Sequence, residues 1–202
     1  MRRRLPRRLS VTLAAGLLVA GCWAGAGCRP QDEPSTEPAH APKETAMAFT
    51  LTSSAFENGG RIPQHYTGEG DDQSPPLAWT DPPEGTQAFA LVCDDPDAPV
   101  GTWDHWLIWN IPGNTQELPA GVPTTETVAD LGGAAQGKNG WGNVGYGGPM
   151  PPPGHGDHHY NFALYALDAK LDLAPGADKQ ALMEAVEGHV LGKAELTGLY
   201  SR

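Results

Sequence analysis

Cysteine is scarce in this chain: only Cys22, Cys28 and Cys93 occur among 202 residues. That excludes a disulfide framework; a Cys28–Cys93 pair is the most that could form, and nothing requires it. Long apolar runs are missing as well. The longest, Val11 to Ala20, is broken by Thr12 and Gly16 and is too short to cross a bilayer as a lasting helix. Basic residues are few, 13 against 24 acidic ones. Such an acidic surface disfavours nucleic acid and anionic lipid as partners, so any anion site must be built locally from a few donors. No Gly-x-Ser-x-Gly elbow is present, and Ser74 precedes two prolines and reads as a turn. Cys93 abuts Asp94 and Asp95, whose charges disfavour a thiolate nucleophile. No internal repeat is visible.

The N-terminus does carry a signal. Arg2, Arg3, Arg4, Arg7 and Arg8 precede the short apolar run, which ends in Leu18-Val19-Ala20-Gly21-Cys22. A basic start, an apolar stretch and small residues before a cysteine resemble a bacterial lipoprotein export signal over residues 1–21, with the Cys22 thiol as the point of lipid attachment. Trp23 does not resemble an inner-membrane retention signal, so outer-membrane sorting is expected where such a membrane exists. Residues 22–46 are rich in Ala, Gly, Pro, Glu and Thr and read as a tether unable to bury a core. Cleavage before Cys22 removes 5 basic and no acidic residues, leaving a formal charge of −16 on the remaining chain. The expected location is the cell envelope, facing the periplasm or exterior, with membrane contact through the lipid only.

Residues 47–202 are enough for one sizeable core. Spread prolines and glycines exclude long helices over most of it. Ala88 to Cys93, Trp103 to Ile111 and Asn161 to Leu167 are runs apolar on both faces, as expected of central strands covered on each side. Shorter strands are predicted at Phe49–Leu51 and near Glu195–Tyr200. One helix is predicted from Asp178 to Glu187, with Leu182, Ala185, Val186 and His189 near one face and Gly188 as its stop. The pattern predicts a mainly β domain: an antiparallel sandwich with long Pro/Gly loops and a short C-terminal helix.

Three segments gather the unusual polar residues: Asp94-Asp95-Pro96-Asp97-Ala98-Pro99, Trp103-Asp104-His105-Trp106, and Gly145 to Tyr160 with its prolines, His155 and His158-His159-Tyr160. Alternation places His158 and Tyr160 on one side of a strand and His159 on the other. Asp95 can accept a bond from a ring nitrogen of His105 or His158, leaving the second nitrogen to donate to an anion. The Tyr160 hydroxyl and the amides of Gly147 and Gly148 would add donors. Other readings stay open. The His–Asp contact can be purely structural, Trp103, Trp106 and Trp109 can all be core, and Asp97 can be a turn acceptor. A metal-dependent or other hydrolase built on His105, His155, His158, His159 and Asp95 is a further reading, although adjacent strand histidines face opposite ways. A pure protein-interaction module with a vestigial pocket is another.

Taken in order, Asp95-Pro96-Asp97-Ala98-Pro99, Trp103-x-His105, Gly145-Tyr146-Gly147-Gly148-Pro149 and His158-x-Tyr160 resemble the phosphatidylethanolamine-binding protein family, in its bacterial Raf-kinase-inhibitor-like branch. Ser54-Ala55-Phe56, Gly60-Arg61-Ile62-Pro63, Ser74 to Trp79, Phe162 to Asp168 and His189 to Gly192 agree, so the likeness covers residues 49–200. The resemblance implies a sandwich-like fold with a small pocket for phosphate-like groups or phosphorylated headgroups. It implies Asp95, Trp103, His105, Gly148, Pro149, His158 and Tyr160 as pocket residues, with Gly147 beside them. No cofactor, metal or catalytic residue is expected. The residue between the last histidine and tyrosine, often arginine in the family, is His159 here and is expected to face away from the pocket. No kinase role carries over to an exported bacterial protein, and no protein partner is specified.

Overall fold

The structure, a computed structural model, describes residues 48–202. The export signal, Cys22, Cys28 and the tether therefore lie outside the described residues. No helix among those described is long and apolar enough to cross a membrane.

The strands are β1 (Thr50–Thr52), β2 (Gly60–Arg61), β3 (Leu77–Thr80), β4 (Ala88–Asp95), β5 (Trp103–Pro112), β6 (Glu117–Leu118), β7 (Thr127–Val128), β8 (Ala134–Gln136), β9 (His158–Leu167) and β10 (Val190–Tyr200). The helix α1 (Lys179–Val186) falls between β9 and β10. They form a seven-stranded sheet in the order β2-β10-β9-β4-β5-β8-β7 and a three-stranded sheet in the order β1-β3-β6. All pairings are antiparallel except β2 with β10, a parallel pair at one edge.

The large sheet is covered on both faces, which is why its central strands read as continuous apolar runs. Phe89, Leu91, Cys93, Phe162 and Leu164 belong to a core with Leu51, Leu77 and Trp79 of the small sheet. Ala90, Val92, Leu107 and Trp109 point the other way, against Leu171, Leu182 and Val186. Each large side chain buried this way contributes about 1.5–3 kcal/mol relative to exposure.

Helix α1 is one residue shorter at each end than predicted, because Asp178 is its cap. The Asp178 carboxylate accepts from the Ala181 amide at 2.9 Å. Leu182 and Val186 form the buried face. His189 is not on it; it lies beyond Gly188 (φ +84°), exposed, with Nδ1 2.7 Å from Asp168. Lys179, the first helical residue, reaches Asp94 at 2.6 Å and Asp104 at 2.9 Å, tying the helix start to β4 and β5. Cys93 is a free, fully buried thiol, and burial beside Asp94 and Asp95 raises its pKa well above the ordinary value.

Candidate ligand-binding site

The C-terminal end of β4 and the N-terminal starts of β5 and β9 lie together, since β4 is antiparallel to both. A cavity of about 260 Å³ opens there, with Asp95, Trp103, His105, His158 and Tyr160 in its wall. Its rim is apolar: Val100, Trp141 and Met150 are 76%, 47% and 42% exposed around it. Pro99, Pro151 and Pro152 also line it and stiffen the loops they belong to.

A β-bulge puts the β5 residues on this side. Leu107 and Trp109 face α1, while Trp106 and Ile108 face the small sheet. Unbroken alternation back from Leu107 would send His105 and Trp103 toward α1 as well. The register shifts here: Cys93 pairs with Trp106 but Asp94 with Asp104, leaving His105 as the extra residue. The shift turns Asp104 toward Lys179 and lets His105 and Trp103 line the cavity.

Asp95 and His158 are both buried, and His158 Nδ1 lies 2.7 Å from Asp95 Oδ2. A carboxylate only accepts, so Nδ1 carries the hydrogen and donates it. Asp95 Oδ1 accepts the Asp97 amide at 2.8 Å, so both its oxygens have partners. His105 is held differently. Its Nδ1 lies 2.6 Å from the Gly147 carbonyl, and the Gly147 amide donates back to the His105 carbonyl at 2.9 Å. A carbonyl also only accepts, so His105 Nδ1 bears hydrogen too. Each ring is thus left with Nε2, which has no protein partner and keeps access to the cavity.

Burial lowers the His105 pKa below the ordinary histidine value, opposed by the Gly147 bond and by Asp95, Asp104 and Asp94. Of the two histidines the sequence offers to Asp95, His158 takes the contact; His105 is held by a carbonyl instead, and burial disfavours its charged form. Tyr160 is fully buried, and its hydroxyl has no hydrogen-bond partner. Burial and the nearby Asp95 charge push its pKa up, so it stays protonated. Its ring stands edge-to-face against His105 at 5.0 Å, and Trp141 stands against the same imidazole at 5.1 Å.

Three other expected residues differ in role. The Gly147 amide is spent on His105, and the Gly148 amide donates to Asp72 Oδ1 at 2.7 Å. Neither forms an anion nest open to the cavity; both instead line a neighbouring cavity of about 250 Å³ with Asp72, Asn139 and Asn143. Pro149 is buried, with its carbonyl accepting the Gly68 amide at 3.0 Å, and it does not line the main cavity. These three residues build the loop that fixes His105. His159 is exposed and bonds Asp97 through ring and backbone, both at 2.8 Å. Those bonds lower the Asp97 pKa and fit its reading as a turn acceptor.

Sequence reasoning missed Trp141, Met150 and Asn139. Asn139 Oδ1 accepts the amides of Trp141 and Asn143, and its Nδ2 donates to the Gly145 carbonyl, shaping the loop that presents Trp141. An indole inside Asn-Gly-Trp-Gly-Asn, with no apolar neighbours to bury it, was the available signal. Gly140 packs against Trp103: an added Cβ would lie 2.6 Å from the indole Nε1.

The chemistry at hand is polar recognition. Ser74 Oγ is buried away from the cavity and accepts the Val122 amide at 2.9 Å. Among the described residues, no group of three or more His, Cys, Asp or Glu side chains could hold a metal ion.

A family model described as phosphatidylethanolamine-binding protein matches residues 52–201. A Methanothermobacter thermautotrophicus protein called UPF0098 protein is 51% identical over 154 residues, covering 76% of this chain and 99% of its own. A Mycobacterium tuberculosis protein whose name proposes a lipoprotein, LppC, is 35% identical over 207 residues, 99% of each chain. The crystal structure of Escherichia coli YbcL, described as a new member of the mammalian PEBP family, superposes with a TM-score of 0.71. It is 33% identical and covers 76% of this chain and 98% of its own.

Proposed function

This chain belongs to the phosphatidylethanolamine-binding protein family, and on that premise we propose that its cavity binds a small ligand through a phosphate-like oxyanion. The observation that carries the reading is the Tyr160 hydroxyl, fully buried at the cavity wall without a partner. Leaving such a group unpaired costs about 1–3 kcal/mol, a cost that a ligand oxygen would remove. Beside it stand two imidazoles, each with Nδ1 tied back and Nε2 free. The Asp95 carboxylate fixes the His158 ring by accepting its Nδ1 hydrogen at 2.7 Å. The exposed Val100, Trp141 and Met150 suit an apolar substituent next to the oxyanion.

The role is binding rather than turnover: the Tyr160 hydroxyl stays protonated, and the Cys93 thiol is sealed in the core. The domain is held at the cell envelope by a lipid on Cys22, through the tether of residues 22–46. The likeness to LppC supports this, since it extends over nearly the whole chain.

Titration of the released domain with methyl phosphate tests the ligand reading, followed by calorimetry and histidine ring shifts. His158→Ala should weaken binding at least ~10-fold, the weight of one charge-assisted hydrogen bond. His159→Ala, exposed and paired with Asp97, should not. Equal effects of the two substitutions would place the binding elsewhere.

A further inference from the structure

The two cavity imidazoles are not equivalent, and the difference bears on the protonation state of the ligand. His158 donates Nδ1–H to the Asp95 carboxylate. His105 donates Nδ1–H to the Gly147 carbonyl, and the reciprocal Gly147 amide bond holds that carbonyl in place. A neutral imidazole with hydrogen on Nδ1 presents a lone pair at Nε2. The position offered by His105 is therefore an acceptor. A fully deprotonated oxygen set against it would oppose lone pair to lone pair in a buried wall, where unmatched polar contacts are costly.

We propose that this cavity selects a singly protonated oxyanion, a phosphate monoester or phosphonate whose own O–H donates to His105 Nε2 while a charged oxygen takes the Tyr160 hydroxyl. The inference rests on the oxyanion reading above and adds a requirement that reading does not contain. Sulfate esters have the same shape and no proton to give. They can satisfy His105 only by drawing a proton from solvent onto the ring, which burial resists. The groups facing His105 do not change this. From β4, Asp95 is committed to His158 and the Asp97 amide. Asp94 and Asp104 are turned toward Lys179 of α1. From β9 come His158 and the protonated Tyr160. The loop contributes the neutral Gly147 and Trp141.

Methyl phosphate and methyl sulfate make the test. At about pH 5.5 both are largely monoanions, because a phosphate monoester loses its second proton only near pH 6. They then match in charge and shape and differ in one O–H. Calorimetry on the released domain should give methyl phosphate at least ~10-fold tighter, with His105, His158 and Tyr160 signals moving together. The preference should shrink as pH rises to about 7.5 and the ester proton leaves. Nitrogen-15 shifts of the free protein at about pH 5.5 should show His105 neutral with hydrogen on Nδ1. Equal affinities for the two esters, a preference that grows with pH, or a His105 already charged or protonated on Nε2 would overturn the selection while leaving the oxyanion site standing. If neither ester moves the signals of the three residues, the oxyanion reading falls and the selection falls with it.

Discussion

Tyr160→Phe should make the free protein more stable and the ligand-bound protein less stable, so the two stability orders cross. The ring of Tyr160 is fully buried among Phe162, Trp106 and their neighbours, and phenylalanine keeps that ring and its edge-to-face contact with His105. Only the hydroxyl is lost, and in the free protein it has no partner. Removing an unpaired buried hydroxyl recovers part of a penalty of about 1–3 kcal/mol; about 1 kcal/mol is a moderate expectation at a cavity wall. For a folded region of 155 residues this raises Tm by about 2–4 °C. With ligand the balance reverses. Losing a hydrogen bond to a charged oxygen costs about 1.5–3 kcal/mol, or roughly 10- to 150-fold in Kd. Methyl phosphate at about 100 times its Kd stabilises the parent by about 2.7 kcal/mol, whereas a variant binding about 30-fold more weakly gains only about 0.9 kcal/mol. The parent then leads by roughly 0.8 kcal/mol even after the variant's head start. Thermal unfolding of both proteins, with and without ligand, reads all four states. A Tyr160→Phe protein less stable than the parent without ligand would refute the reasoning, because the hydroxyl would then be already satisfied in the free protein.

The pH dependence of stability should carry a signature of His105. Its pKa is lowered on folding, so below about pH 6.5 the unfolded chain takes up a proton that the folded one resists. The contribution is whole above the unfolded pKa and is lost as pH falls toward the folded one, by at most about 1.4 kcal/mol per pH unit. Urea unfolding between about pH 7.5 and 5 should show a smaller loss in His105→Gln than in the parent. Gly140→Ala should displace the Trp103 indole, since the new Cβ would lie 2.6 Å from Nε1. Weaker methyl phosphate binding and a changed tryptophan fluorescence are expected, with a stability cost of about 1–3 kcal/mol. Cys22→Ala should leave the protein in the soluble fraction or as an unprocessed precursor. A processed variant that still pellets with membranes would remove the lipid anchor from the account.

The central strands were legible because burial on both faces leaves a compositional mark. Ala88 to Cys93, Trp103 to Ile111 and Asn161 to Leu167 fall inside β4, β5 and β9. The apolar run marks β9 only from Asn161; its polar start, His158-His159-Tyr160, carries no apolar signal and is held by pairing with Gly198, Leu199 and Tyr200 on β10. Two-residue strands such as β2, β6 and β7 have no period to read. They exist because a neighbouring strand supplies their hydrogen bonds.

The site divides along the same line. Residue type and order alone marked Asp95, His105, His158 and Tyr160, because carboxylate, imidazole and phenol chemistry is a property of the side chain. Alternation within β9 placed His158 and Tyr160 on one face, since the pleat is local geometry. The partners were not local. Which histidine meets Asp95, and which meets a carbonyl, depends on the loop from Lys138 to Pro149 folding back onto β5. The bulge at His105 has no signature in Trp103-Asp104-His105-Trp106. It arises from the pairing of β5 with β4 and from Lys179 drawing Asp94 and Asp104 to the opposite face. The sequence by itself determined which groups were available; tertiary pairing decided which way they point and which protons they hold, because register and burial are properties of the assembled sheet rather than of any one strand.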